Sequence, residues 1–250
     1  MASAYVLGCR VDAVDTASAI DRIVALARGA VPSQVVTVGT EMVMRAQRDA
    51  QFRAVLNGAA LALCDTVGLL AAAQLHGLAL RTRVTGIDLL DPLCARLARE
   101  GLSIYLLGAR GATAARAGAE LQRRHPGLKI AGSRDGYFTP SEDAAVAAGI
   151  TATGADVLLA GLGSPRQDLW IAEHLAASGC GVGIGVGGSF DVLAGNAVRA
   201  PETWRRAGLE WLYRLVSEPS RWRRQLVLPQ FALLAAREIL TERFARRTHA

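Results

Sequence analysis

The sequence predicts an α/β fold, with a mostly parallel, Rossmann-like sheet, helices on both faces and a C-terminal helical, basic appendage. Short apolar or β-branched runs alternate with helical patterns of about 10–15 residues, which is the order expected of βαβ units. Several of these runs are apolar throughout, as in strands that are covered on both faces. The alternation stops near residues 194–201, where the arginines begin to accumulate. We therefore divide the chain into an α/β body, 1–195, and an appendage, 196–250.

The elements of the body follow one another in regular order. The predicted strands span residues 34–38, 60–64, 103–107, 129–132, 156–160 and 181–186. The predicted helices span residues 41–56, 67–75, 87–100, 112–124, 141–153 and 166–177.

The composition excludes several classes of protein. Apolar residues make up 51% of the chain and charged residues 20%, which indicates a globular protein and not a disordered one. The four cysteines are scattered without a CxxC pattern, which argues against a structural zinc site and a disulfide framework. No segment reaches the roughly 20 apolar residues of a membrane-spanning helix, and the first residues lack the basic region of a signal peptide. We expect a cytoplasmic protein with reduced thiols.

The appendage carries the charge of the molecule. Residues 196–250 contain eleven arginines and five glutamates, and therefore the whole formal charge of +6. Aromatic residues lie among these arginines, and such a segment suits a surface of phosphates, on lipid or on nucleic acid. The apolar spacing from Leu226 to Phe244 predicts a face that is buried, which favours an anionic membrane surface over nucleic acid.

Polar residues follow the predicted strands directly, where ligands bind in open α/β sheets. Thr37 lies at the end of the strand 34–38, and Asp65 directly follows the strand 60–64. Asp65 is either a helix cap or a catalytic base whose pKa a half-buried position can tune. Arg83 stands beside a helix start, where it is either an anion contact or a solvated surface arginine.

Two glycine turns also follow strands. The turn at Gly108 offers backbone N–H groups that could hold phosphate, although it lacks the full dinucleotide fingerprint. In the segment 161–170, Ser164 and Pro165 suffice to start a helix, so that Gln167 is not needed as a cap. Tyr137 lies in a turn that presents its aromatic ring. The chain contains no Ser-His-Asp pattern, Walker A loop, redox CxxC or D-x-D motif.

Together these segments resemble the bacterial WecG/TagA/CpsF glycosyltransferase family, from about residue 35 to residue 224. The motifs that carry the resemblance are VVTVGTEMVMRA (35–46), CDTVGLL (64–70), RVTGIDLL (83–90), YLLGARG (105–111), HPGLKIAGSRDGYF (125–138), GLGSPRQDLW (161–170), FDVLAG (190–195) and RAPETWRRAGLEWLYRLVSEPSRWRR (199–224).

The resemblance implies the transfer of an N-acetylmannosamine-type, uronic acid or related sugar from a UDP donor to a polyprenyl-diphosphate-linked sugar. The expected reaction inverts the anomeric centre, needs no metal or cofactor, and takes place at the inner face of the cytoplasmic membrane. The resemblance makes Asp65 the catalytic base, with Thr37 beside it as a second catalytic residue. We assign substrate binding to Arg83, Gln167, Gly108, Tyr137, Asp191, Arg214, Arg221 and Arg224.

Two positions depart from the family pattern. Gly39 stands where the family usually has asparagine, and Thr66 stands where it mostly has glycine. The missing amide could change the recognition of the donor or the acceptor sugar. The alternative interpretation is a degenerate member that binds a nucleotide sugar without transferring it. The sequence also allows a homo-oligomer.

Overall fold

The computed structural model describes residues 1–206, 208–217 and 226–248, without the side chains of residues 206, 214, 217 and 242–248. The strands are β1 (Ser3–Val6), β2 (Cys9–Asp12), β3 (Ser33–Val38), β4 (Leu61–Cys64), β5 (Ser103–Gly108), β6 (Lys129–Arg134), β7 (Val157–Gly161) and β8 (Val182–Gly185). Strands β3 to β8 form one sheet in the order β4-β3-β8-β7-β5-β6, and every neighbouring pair is parallel. The predicted parallel α/β fold is confirmed.

Helices connect the strands. They are α1 (Thr16–Ala27), α2 (Thr40–Ala46), α3 (Ala50–Gly58), α4 (Val67–Leu75), α5 (Gly86–Glu100), α6 (Thr113–Arg124), α7 (Asp143–Thr151), α8 (Arg166–His174), α9 (Ser189–Leu193), α10 (Glu202–Arg206), α11 (Glu210–Ser217) and α12 (Val227–Thr248). The prediction of a single helix over 41–56 is wrong, since α2 and α3 are separate. The carboxylate of Asp49 caps α3 by accepting a hydrogen bond from the Phe52 N–H at 2.9 Å, and a cap of this kind starts a new helix.

The N-terminal hairpin, β1 and β2, was not among the predicted elements. Its turn consists of Leu7 and Gly8, whose φ angles are 49° and 73°. Two-residue hairpin turns of this kind need positive φ at both positions and usually contain Asn-Gly or Asp-Gly. Because Leu7 stands at the first position, the sequence lacks the residue pattern by which such a turn is usually predicted.

Alternate residues of the main sheet face two different cores. Val35 and Leu63 belong to one cluster, with α1, α5 and α6, whereas Val36 and Cys64 belong to another, with α2, α3 and α4. A third cluster lies on the same face as the second, where α7 and α8 pack against β5 and β7. The helices therefore cover both faces, as predicted from the apolar strands.

The strand order creates a topological switch point between β5 and β7. The chain leaves β5 through α6 toward β6 on one side, and leaves β7 through α8 toward β8 on the other. Right-handed crossovers in opposite directions place these two helices on opposite faces and open a crevice at the carboxyl ends of the strands.

The C-terminal helix α12 packs on the body, against α2 and α4. Phe231 and Ala235 are 4% and 5% exposed and belong to the same core cluster as Val36 of the sheet. The Glu238 carboxylate accepts a hydrogen bond from the Leu7 N–H at 2.8 Å and lies 3.2 Å from His76 Nε2. Within the described residues, no helix combines the length and the apolar character needed to cross a bilayer.

Candidate active site

A cavity of about 760 Å³ lies between the carboxyl end of the β4-β3-β8 half of the sheet and the helices α11 and α12. Thr37, Asp65, Arg83 and Gln167 all line it. The structure therefore brings together four of the predicted site residues, which come from four separate segments of the chain. The volume is within the range of about 300–1,000 Å³ that is typical of small-molecule sites.

Asp65 is held in a fixed position at the cavity wall. It directly follows β4, and its backbone N–H donates to the Val38 carbonyl at 2.9 Å, which ties it to β3. One carboxylate oxygen, Oδ1, accepts from the Gly86 N–H at the start of α5 at 3.3 Å. The residue is half-buried, so its carboxylate is oriented by the backbone while it lines the cavity. The neighbouring Cys64 does not compete as a nucleophile, because burial raises the pKa of its thiol to about 12.

Thr37 and Gln167 brace the end of β8 from two sides. The Thr37 hydroxyl donates to the Gly185 carbonyl at 3.0 Å, and Oε1 of Gln167 accepts from the Gly187 N–H at 3.1 Å. Both residues are buried, at 9% and 3% exposure. These contacts fix the course of the backbone where Gly187 and Gly188 line the cavity.

Arg83 links the body to α11. Its guanidinium lies 3.3 Å from the Glu210 carboxylate, which is only 8% exposed as a residue. Arg199 lies 3.9 Å from the same carboxylate and pairs with Asp88 at 2.6 Å. A network of ion pairs therefore holds α11 at the mouth of the cavity.

Gly108, Tyr137 and Asp191 do not line this cavity. Gly108 lies at the end of β5, where a Cβ atom would come within 2.4 Å of the Gly161 backbone. A Cβ atom on Gly161 would in turn lie 3.0 Å from the Gly187 carbonyl oxygen. Gly108 and Gly161 therefore allow close packing of the protein's own segments across the switch point. A Cβ atom on Gly187, which lines the cavity, would meet nothing within 4 Å, so a ligand in the cavity can approach the backbone there closely.

Tyr137 lies on the loop after β6, and Asp191 lies on α9. The Tyr137 ring is 74% exposed, with the Arg110 guanidinium 5.8 Å from its centre. Arg166 holds the Tyr137 loop in place by donating to the carbonyls of Gly136 and Phe138 at 2.6 and 2.8 Å. Asp191 accepts from the Asn196 side chain at 3.4 Å.

The appendage arginines cannot be placed in the same way. Arg221 and Arg224 lie outside the described residues, and so does the side chain of Arg214, whose backbone belongs to α11. Their role at the diphosphate stays a prediction.

The comparison of the whole sequence with protein families decides the class of this site. The sequence model of the Glycosyl transferase WecG/TagA/CpsF family matches residues 4–245. The chain belongs to this family. Its members are glycosyltransferases of cell-surface polysaccharide synthesis, with a nucleotide-sugar donor and a lipid-linked sugar acceptor. The cavity is therefore the candidate active site of a WecG/TagA/CpsF glycosyltransferase.

Asp168 was not among the site residues predicted from the sequence of this glycosyltransferase. It follows Gln167 in the first turn of α8, is fully buried, and has no hydrogen-bond partner of good geometry for either carboxylate oxygen among the described residues. Burial raises the pKa of this carboxyl to about 6, and the nearby Ser164 and Gln167 offset only part of that effect. The Asp168 carboxylate fits beside Gly185 because glycine has no side chain; a Cβ atom there would lie 3.0 Å from Oδ1 of Asp168.

We expect Asp168→Asn to change how stability depends on pH. A carboxyl whose folded-state pKa is raised from 3.8 to about 6 contributes most to stability below 3.8, and the contribution is lost as the pH rises through 6. Since a difference of one in pKa corresponds to about 1.4 kcal/mol, and the ionisation of the unfolded chain has already begun at pH 4, the variant should gain about 2 kcal/mol relative to the wild type between pH 4 and pH 8. Denaturant unfolding at both pH values measures this gain. The exposed Asp21→Asn is the control, and an equal difference at both pH values for Asp168→Asn would contradict the assignment.

Proposed function

We propose that this protein is an inverting glycosyltransferase that moves an N-acetylmannosamine-type, uronic acid or related sugar from a UDP donor to a polyprenyl-diphosphate-linked sugar. The observation that carries the proposal is the half-buried Asp65 carboxylate, oriented by two backbone segments at the wall of a cavity that also contains Arg83.

Asp65 acts as the general base in this proposal. An inverting transfer needs one base that accepts the proton of the acceptor hydroxyl while its oxygen attacks C1 of the donor. The new C1–O bond forms as the bond from C1 to the diphosphate oxygen breaks, and UDP leaves with that electron pair. The hydrogen bonds to the Val38 carbonyl and from the Gly86 N–H hold Asp65 in place. Its carboxylate therefore needs little movement to accept the proton during the reaction.

The bare backbone at Gly187 and Gly188 supports a position for the donor diphosphate. Both glycines line the cavity, and a Cβ atom on either would meet nothing within 4 Å. We propose that the exposed ring of Tyr137 stacks on the base of the donor. Arg83 and the appendage arginines provide positive charge for the leaving diphosphate.

The appendage supports a lipid-linked acceptor. Helix α12 contributes an apolar wall to the cavity through residues such as Phe231 and Ile239. The opposite side of the same helix exposes Leu233 and Leu240 at 72% and 55%. Exposed apolar side chains among arginines suit the boundary between headgroups and acyl chains of an anionic membrane. We propose that the protein binds reversibly to the inner face of the cytoplasmic membrane through this appendage.

The proposal is tested by acceptor-dependent release of UDP. Purified protein is given UDP-N-acetylmannosamine and a short-chain polyprenyl-diphosphate N-acetylglucosamine, with a chelator present because cationic side chains and backbone N–H groups are proposed to replace a metal. We expect UDP release that depends on the acceptor, and we expect the chelator not to inhibit it. Binding of UDP without any acceptor-dependent release, across a panel of UDP-sugars, would favour the degenerate binding module. Release that requires Mg²⁺ or Mn²⁺ would contradict the metal-free part.

A further inference from the structure

Gly39 and Thr66 meet beside Asp65 in the cavity wall. Both residues line the cavity, at the starts of α2 and α4. A Cβ atom on Gly39 would lie 3.2 Å from Cγ2 of Thr66 and 3.9 Å from Oδ2 of Asp65. The methyl group of Thr66 therefore occupies the space into which a side chain at position 39 would extend.

Thr66 is not free to move out of this space. Its Oγ1 accepts a hydrogen bond from the Thr40 N–H at 3.2 Å, and Gly39, the N-cap residue of α2, has no side chain with which to cap it. The first turn of a helix leaves backbone donors without partners inside the helix. Thr66 supplies an acceptor for one of them from a different segment, and this bond fixes the rotamer that points Cγ2 toward Gly39.

We propose that Gly39 and Thr66 form one steric unit, and that Thr66 is a specificity-determining residue for the acceptor sugar. This inference rests on the proposed function. The hydroxyl that gives its proton to Asp65 must come within about 3 Å of that carboxylate. The carbon atoms of the acceptor sugar ring next to the reacting hydroxyl, with their substituents, then face the part of the cavity wall formed by Thr66 Cγ2 and the backbone of Gly39. This part of the wall selects by shape, because neither Cγ2 nor Gly39 presents a polar side-chain atom there.

The steric unit is tested by thermal melting, which needs no substrate. Gly39 has φ −114° and ψ 168°, an extended conformation that alanine adopts without strain. Gly39→Ala should therefore lower Tm in the wild type, where Cβ meets Cγ2, and should not lower it in a Thr66→Ser background, which keeps the hydroxyl and removes the methyl. We expect the two effects of Gly39→Ala to differ by about 2–4 °C. Effects that agree within about 1 °C would overturn the steric unit.

The specificity is tested with two acceptors. One is the short-chain polyprenyl-diphosphate N-acetylglucosamine, and the other carries one added methyl ether on the hydroxyl next to the reacting one. Thr66→Ser should raise kcat/KM for the methylated acceptor relative to the plain one by about 10-fold, because one methyl group in a pocket is worth about that much discrimination. Thr66→Val is the matched control, since it stays branched at Cβ and keeps a methyl group beside Gly39 but loses the hydroxyl. It should lower Tm and change the ratio much less than Thr66→Ser does.

The acceptor ratio and the melting temperatures test the specificity and the steric unit separately. An unchanged acceptor ratio in Thr66→Ser, or a ratio that Thr66→Val changes as much as Thr66→Ser, would overturn the role in specificity. Failure of the wild type to transfer to either acceptor would contradict the proposed function. The melting cycle would then still show whether Gly39 and Thr66 are sterically coupled.

Discussion

Asp65→Asn is expected to lower kcat for transfer by about 10²–10⁴-fold, with little change in the affinity for UDP. Asparagine has nearly the same shape, and its carbonyl oxygen can still accept the hydrogen bond from the Gly86 N–H. It cannot accept the proton of the acceptor hydroxyl, so that attack on C1 has no base. Steady-state kinetics of UDP release and calorimetric binding of UDP measure the two quantities in the same preparation.

The cavity offers a second carboxylate as the control for this experiment. Glu41 also lines the cavity, but it is exposed and lies in the first turn of α2. We expect Glu41→Gln to change kcat only a few-fold. A large loss in Glu41→Gln together with near wild-type activity in Asp65→Asn would move the base to Glu41.

Phe231→Ala is expected to lower the free energy of unfolding by about 3–5 kcal/mol. The ring is 4% exposed and belongs to the core cluster that contains Val36 and Cys64 of the sheet. Its removal leaves a void between α12 and the body, because the surrounding core can only partly collapse. Denaturant unfolding monitored by circular dichroism gives the difference directly.

Leu233 of the same helix is the matched control. Its side chain is 72% exposed, so Leu233→Ala should change stability by no more than about 0.5 kcal/mol. If both variants lower the free energy of unfolding equally little, α12 does not complete the core. That result would favour the division into a body, 1–195, and a separable appendage, 196–250. If Phe231→Ala has the expected effect, at least α12 is an integral part of the folded body.

The fold could be predicted because its signals are local. All six strands of the main sheet correspond to predicted apolar runs, and helix α4 (Val67–Leu75) begins and ends where its pattern predicts. The break between α2 and α3 was not predicted, because Asp49, the N-cap residue of α3, lies inside an otherwise continuous helical pattern. The hairpin was not predicted because Leu7 adopts a positive φ that only the surrounding structure can enforce.

The site could be predicted in part, because parallel strands bring their carboxyl ends to one edge of the sheet. That rule is enough to place Thr37 and Asp65 together. It does not show that Glu210 pairs with Arg83, since 127 residues separate them along the chain. It also does not show the contact between Gly39 and Thr66, or the burial of Asp168 beneath Gly185, because these depend on packing between segments.

The configuration at C1 of the transferred sugar shows whether the transfer inverts. With one base, Asp65, and a single displacement at C1, the product must have the opposite configuration to the donor. The product formed by the wild type from a UDP-sugar and the lipid-linked acceptor is isolated, and the one-bond coupling between C1 and its hydrogen is read by NMR. We expect inversion alone. Retention of the donor configuration is not the product of a single displacement from the opposite face, and it would contradict the assignment of Asp65 as the base of an inverting transfer.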